Sequence, residues 1–147
     1  MKIYEDCKAV LQEKANPVNG RKVFGRACAT CHRLDQEGTP VGPDLFSIRN
    51  QPKEVILLHV IVPDYEITLG FNNYSIELTD GRTLSGIIHS ETDSAITLRS
   101  STGQDESIPR ERIVSLQASK NSMMPQDLEK TMTRQELADL MAYVKGE

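Results

Sequence analysis

"GRACATCHRLD", residues 25–35, sets two cysteines two residues apart with a histidine directly behind the second. Cys28-Ala29-Thr30-Cys31-His32 admits three chemistries: half of a zinc site, a redox dithiol, or the covalent attachment point of a c-type haem. Structural zinc takes four Cys or His ligands, usually as two closely spaced pairs. Outside the motif only Cys7, His59 and His89 remain, and they form no second pair. A thioredoxin-like dithiol follows a strand and opens a helix within a βαβ pattern, whereas the segment before Cys28 has helical texture. Haem attachment accounts for more residues. Two thiols can add across two porphyrin vinyl groups, and the adjacent imidazole then lies under the iron.

The 147 residues suit one domain, or one small domain carrying an insertion. Hydrophobic residues make up 38%, with no Trp, three Phe and four Tyr. That is a thin supply for a small core, and a flat apolar cofactor would extend it. The net charge of −4 comes from interspersed acidic and basic residues, so neither nucleic acid nor an anionic membrane is an expected partner. The longest apolar run, "VILLHVIV" at 55–62, is too short to span a bilayer. "MKIYEDCKAV" lacks the apolar stretch and cleavage site of a signal peptide. An exported protein of this sequence would therefore be mature, trimmed, or cut from a larger parent. Cys7 lies in helical spacing with Val10 and Leu11 and is expected to be a structural thiol.

The texture runs helical, then β, then helical. Residues 3–14 show helical spacing, "NPVNG" (16–20) reads as a break at Pro17 and Gly20, and a helix resumes through the cysteine motif. Residues 37–45 read as a loop, and 52–62 as a helix stopped by Pro63. From residue 72, alternating Tyr74, Ile76, Leu78 and Leu84, Gly86, Ile88 flank Asp80-Gly81, a hairpin signal. Ile96, Leu98, Ile108, Val114 and Leu116 continue the pattern, which suggests four or five short strands in a small curled sheet or SH3/Sm-like barrel. "TRQELADLMAYVKG" opens with a capping box, Thr133 to Glu136, and ends at Gly146. This order predicts a helical domain of residues 1–71 and 119–147 with a β module, 72–118, inserted into it.

The chain resembles a class I cytochrome c. More narrowly, it is similar to a planctomycete-type haem-binding domain family found at the ends of large multidomain proteins. The matching stretches are "GRKVFGRACATCHRL" (20–34), "VGPDL" (41–45), "NNYSIELTDGRTLSGIIHSETDSAITL" (72–98), "SMMPQDL" (122–128) and "MTRQELADLMAYV" (132–144). The resemblance implies a mainly α cytochrome c fold with an antiparallel β insertion, and one haem c bound covalently through Cys28 and Cys31. It implies His32 as the proximal ligand, its Nδ1–H bonded to the Pro43 carbonyl, with Leu45 pressing on the porphyrin face. The sixth ligand should be a methionine before the last helix: Met124, which precedes Pro125 directly, with Met123 as the fallback. Gly20 and Phe24 should cross Leu140 and Tyr143 where the first and last helices of the fold meet.

His59 and His89 match no ligand position and are expected to be packed or exposed histidines. Arg49 and Asn50 are candidates for hydrogen bonds to a propionate. With both axial positions filled and no acid–base pair or nucleophile in view, the expected role is single-electron relay and not enzymatic turnover. The expected partners are a dehydrogenase-like donor and a downstream acceptor, and the family resemblance implies a setting within a larger multidomain protein. Covalent haem maturation favours the periplasm or an equivalent exported compartment. The rival functions are a haem-based ligand-binding or peroxidase domain with a displaceable methionine, and an interaction module in 72–118 anchored by the haem domain.

Overall fold

The computed structural model describes residues 1–147. Four α-helices and a five-stranded antiparallel sheet make up the chain. Helix α1 (Lys2–Cys7) is short and passes into a 3₁₀ turn at Lys8–Gln12, so the continuous helix expected over 3–14 is split. Helix α2 spans Pro17–Ala27. The expected break at "NPVNG" is instead its beginning. Asn16 caps it by accepting from the Val18 and Asn19 N–H groups, and Pro17 occupies the first turn, where a missing N–H costs nothing. Helix α2 stops before Cys28, so the cysteine motif lies in the turn beyond it. Helix α3 (Lys53–Ile61) ends two residues before Pro63, and α4 is Arg134–Lys145. Thr133 and Glu136 complete the capping box, and Gly146 closes α4 at φ +86°.

Helices α2 and α4 cross at a glycine. A Cβ on Gly20 would collide with the Asp139 carbonyl and come 2.8 Å from Tyr143 Cβ, so only glycine permits this approach. Phe24 fills the space beside the crossing, its ring centroid 5.6 Å from that of Tyr143 with the planes tilted by 60°. Asp139, 2% exposed, faces the start of α2. It accepts hydrogen bonds from Asn16 N–H (2.7 Å), the Asn19 amide (2.8 Å) and the Gln135 amide (2.8 Å). Burial pushes its carboxyl up, but these donors more than offset that and hold it below the usual aspartate range.

The strands are β1 (Asn73–Leu78), β2 (Thr83–Glu91), β3 (Ala95–Arg99), β4 (Asp105–Pro109) and β5 (Ile113–Ala118). Their order is β4-β3-β2-β1-β5. Asp80-Gly81 makes the first hairpin, with Gly81 at φ +89°. The ladder is open: β4 and β5 are its two edges, so the expected closure into a small barrel is not met by strand pairing. Bulges interrupt it at Glu77/Leu78 and between Ile88 and Ser90. His89 stands exposed at the second bulge, near the end of β2. Ile76, Leu78, Leu98 and Ile108 form the sheet's own core cluster, separate from the fourteen-residue cluster of the helices.

Candidate functional site

The turn after α2 is laced by backbone hydrogen bonds. Cys28 N–H donates to Phe24 O (2.8 Å), and His32 N–H donates to Cys28 O (2.9 Å). The returning loop binds the same turn: Val41 and Gly42 N–H both reach Cys31 O, at 3.0 and 2.6 Å, and Leu45 N–H reaches Arg33 O at 2.9 Å. "VGPDL" is thereby zipped to "CHR". His32 Nδ1 lies 2.8 Å from the Pro43 carbonyl oxygen. A carbonyl can only accept, so Nδ1 carries the proton and the lone pair sits on Nε2, which has no partner within the chain. Burial lowers the His32 pKa and the Pro43 hydrogen bond acts against it; the net direction is down, towards the neutral imidazole. Gly42 packs flat on the ring, where a Cβ would come within 2.6 Å of Cε1 and 3.0 Å of Nδ1.

Cys7, Cys28 and Cys31 are all free. Burial, with a smaller contribution from Cys31, pushes the Cys28 thiol up to about 11, and burial also raises Cys31. A dithiol oxidoreductase needs the opposite, a stabilised thiolate. Zinc would need further ligands, and no group of three His, Cys, Asp or Glu side chains is gathered to hold a metal.

Met123 and Met124 lie half-buried in the loop between β5 and α4, and neither joins the core cluster. Met124 N–H donates to Ser122 Oγ (3.1 Å). Asp64, just beyond α3, accepts from Ser122 N–H and from the Gln126 amide, each at 2.6 Å. On another side, the turn joining β3 to β4 lies against the cysteine loop. Arg99 donates to Pro40 O (2.8 Å) while its guanidinium is held by Asp105 (2.7 and 3.0 Å). The Cys31 thiol lies 3.7 Å from Ser101 O, and Gly103 faces Thr39.

The family model described as Cytochrome c matches residues 17–146. The chain belongs to the cytochrome c family. A search of curated proteins finds no match to this cytochrome. Family membership makes it a haem-binding c-type cytochrome, and its residues suit that group. A neutral imidazole presents an unpartnered Nε2, two protonated thiols stand in the same turn, and Gly42 leaves the ring face clear of side-chain bulk. Leu45 is half-buried against the helical core, while Phe46 beside it is 66% exposed.

Arg49 departs from the sequence expectation. Its guanidinium is engaged elsewhere: Nη1 and Nη2 fork onto Asp35 (3.0 and 2.8 Å), and Nε and Nη2 reach the Val144 and Tyr143 carbonyls at the end of α4. It caps a helix C-terminus, a role no local pattern announces. His59 lies half-buried on α3. Asp64 and Arg99 were missed by sequence reasoning, because each acts on residues far away in the chain. No helix is long and apolar enough to cross a membrane.

Proposed function

We propose that this cytochrome carries one haem, attached through Cys28 and Cys31 and ligated axially by His32 and Met124, and that it relays single electrons between protein partners. The observation that carries this reading is the His32 imidazole, held through Nδ1 by the Pro43 carbonyl at 2.8 Å with Nε2 left free. When bound, haem supplies a one-electron couple at iron. Each cysteine adds its S–H across one vinyl group, sulfur to one alkene carbon and hydrogen to the other, so attachment consumes no oxidant. Pro43 fixes the imidazole's orientation and raises its basicity. The Met124 thioether is a soft donor that favours the reduced metal and a higher potential than a second imidazole would give; Met123 is the substitute donor.

In this reading residues 1–71 and 119–147 form the haem domain and 72–118 an insertion of the planctomycete-type family, related to small SH3/Sm-like barrels. The contacts of Arg99, Ser101 and Gly103 with residues 31–40 favour the insertion as a cover for the attachment loop over a free interaction arm. The partners are a dehydrogenase-like donor and a downstream acceptor, in the periplasm or an equivalent compartment. An anaerobic redox titration of the haem-loaded protein, followed by absorption spectra, tests the function. One single-electron transition, with the far-red band of iron–methionine bonding in the oxidised form, is expected. A high-spin spectrum with rapid carbon monoxide binding by the reduced form would contradict it and favour the ligand-binding or peroxidase alternative.

A further inference from the structure

We propose that Asp64 is a positioning residue for the methionine loop, holding Met123 and Met124 near the end of α3 so that a thioether can reach the iron. The second half of that statement rests on the axial ligation proposed above; the first stands on geometry alone. The two oxygens of Asp64 take different partners, Ser122 N–H on Oδ1 and the Gln126 amide on Oδ2, both at 2.6 Å. Those partners bracket the methionines, one residue before Met123 and two residues after Met124. Ser122 extends the clamp, since its hydroxyl accepts the Met124 N–H. Short bonds to a carboxylate are the strong kind.

Asp64 is itself firmly based. Val62 N–H closes the last turn of α3 on Leu58 O (2.8 Å), Pro63 is buried, and Tyr65 N–H turns back to Val62 O (2.9 Å). Neither methionine joins the core cluster, so the Asp64 bonds are what tie this part of the loop to the end of α3. Between Asp64 and Ser122 the chain makes its whole β excursion, separating clamp from loop by 58 residues. The base of that excursion is drawn together by a bond from Ser119 N–H to Asn73 O (2.7 Å). Asp64 adds the next tie, which joins the methionine loop to the end of α3 just beyond the base of the module.

The test uses haem-loaded wild type, Asp64→Ala, Asp64→Asn and Gln126→Ala, each read by hydrogen exchange of residues 119–127 and by the far-red band of the oxidised protein. Losing both charge-assisted bonds should speed exchange in that loop by about tenfold or more, with residues 28–45 within about twofold of wild type. Asp64→Asn keeps an oxygen for Ser122 N–H, and its new amide can donate to a flipped Gln126, so it should stay closer to wild type. Gln126→Ala removes one partner only and should show a smaller acceleration; it decides the matter if Asp64→Ala fails to fold. Exchange within about twofold of wild type in the alanine variants would overturn the proposal. Weakening of the band in Asp64→Ala extends the clamp to ligation. A wild type without the band, but with tenfold faster loop exchange in Asp64→Ala, leaves the clamp standing and removes methionine ligation instead.

Discussion

The histidine side and the methionine side of this cytochrome are built by opposite means. His32 and Pro43 are eleven residues apart, and the loop between them is zipped to the cysteine turn by successive backbone hydrogen bonds. Met123 and Met124 arrive after a five-stranded detour and are tied back by the side chain of Asp64. One side is local and made of backbone; the other is distant and hangs on a carboxylate. Backbone ladders tolerate side-chain change, whereas a single-residue clamp concentrates risk. The histidine side should therefore yield only to steric insult, and the methionine side to loss of one polar group.

The largest effect should come from crowding the histidine. In Gly42→Ala the new methyl lies 2.6 Å from His32 Cε1, so ring or loop must move, at a cost of about 3 kcal/mol for overpacking. Chemical unfolding should show that loss, and the haem spectrum should show disturbed ligation. Stability within error of wild type would mean that the packing of Gly42 on the ring does not hold the histidine side.

The frame under both sides is probed through Asp139. Its carboxyl titrates below the usual aspartate range of about 4 when folded, so the unfolded chain takes up protons first as pH falls. Its contribution is full at neutral pH and is lost as acidity passes from the unfolded value down through the folded one. Asp139→Asn should cost about 2 kcal/mol at pH 7, because one of its three donors then faces an amide N–H. That difference should narrow in urea unfolding below about pH 4.

Much of the histidine side was legible because its meaning is carried by adjacent letters. "CATCH" and "VGPDL" lie within twenty residues of each other, and the family resemblance they carry implies the His32–Pro43 contact that the structure shows. The last helix was equally plain, since capping box, apolar stripe and terminal glycine agree. Pro17 misled because a proline reads as a break until the capping Asn16 before it is recognised as a beginning. Arg49 misled because an arginine in a loop names no partner, and besides nearby Asp35 it reaches the carbonyls of a helix nearly a hundred residues away. Asp64 after a proline looks like any turn residue. Nonlocal side-chain pairing leaves no periodic trace.

Two smaller effects are expected, one on the methionine side and one at the cover. Met124→Ala should abolish the far-red band while Met123→Ala retains it; the reverse result would transfer the ligand role to Met123. Arg99→Gln removes the guanidinium fork between Asp105 and the Pro40 carbonyl. Limited proteolysis should then cut the Ser100–Gln104 turn faster, with the haem spectrum unchanged. A spectrum that shifts strongly would mean the cover supports ligation as well.

The most direct test of covalent haem attachment through Cys28 and Cys31 is a denaturing mass spectrum of protein matured in a host able to attach c-type haem. The wild-type chain should carry the added mass of one haem that survives acid acetone, and a Cys28→Ala/Cys31→Ala double variant should not. A wild-type chain at its bare mass, or one whose pigment is extracted, would contradict the account.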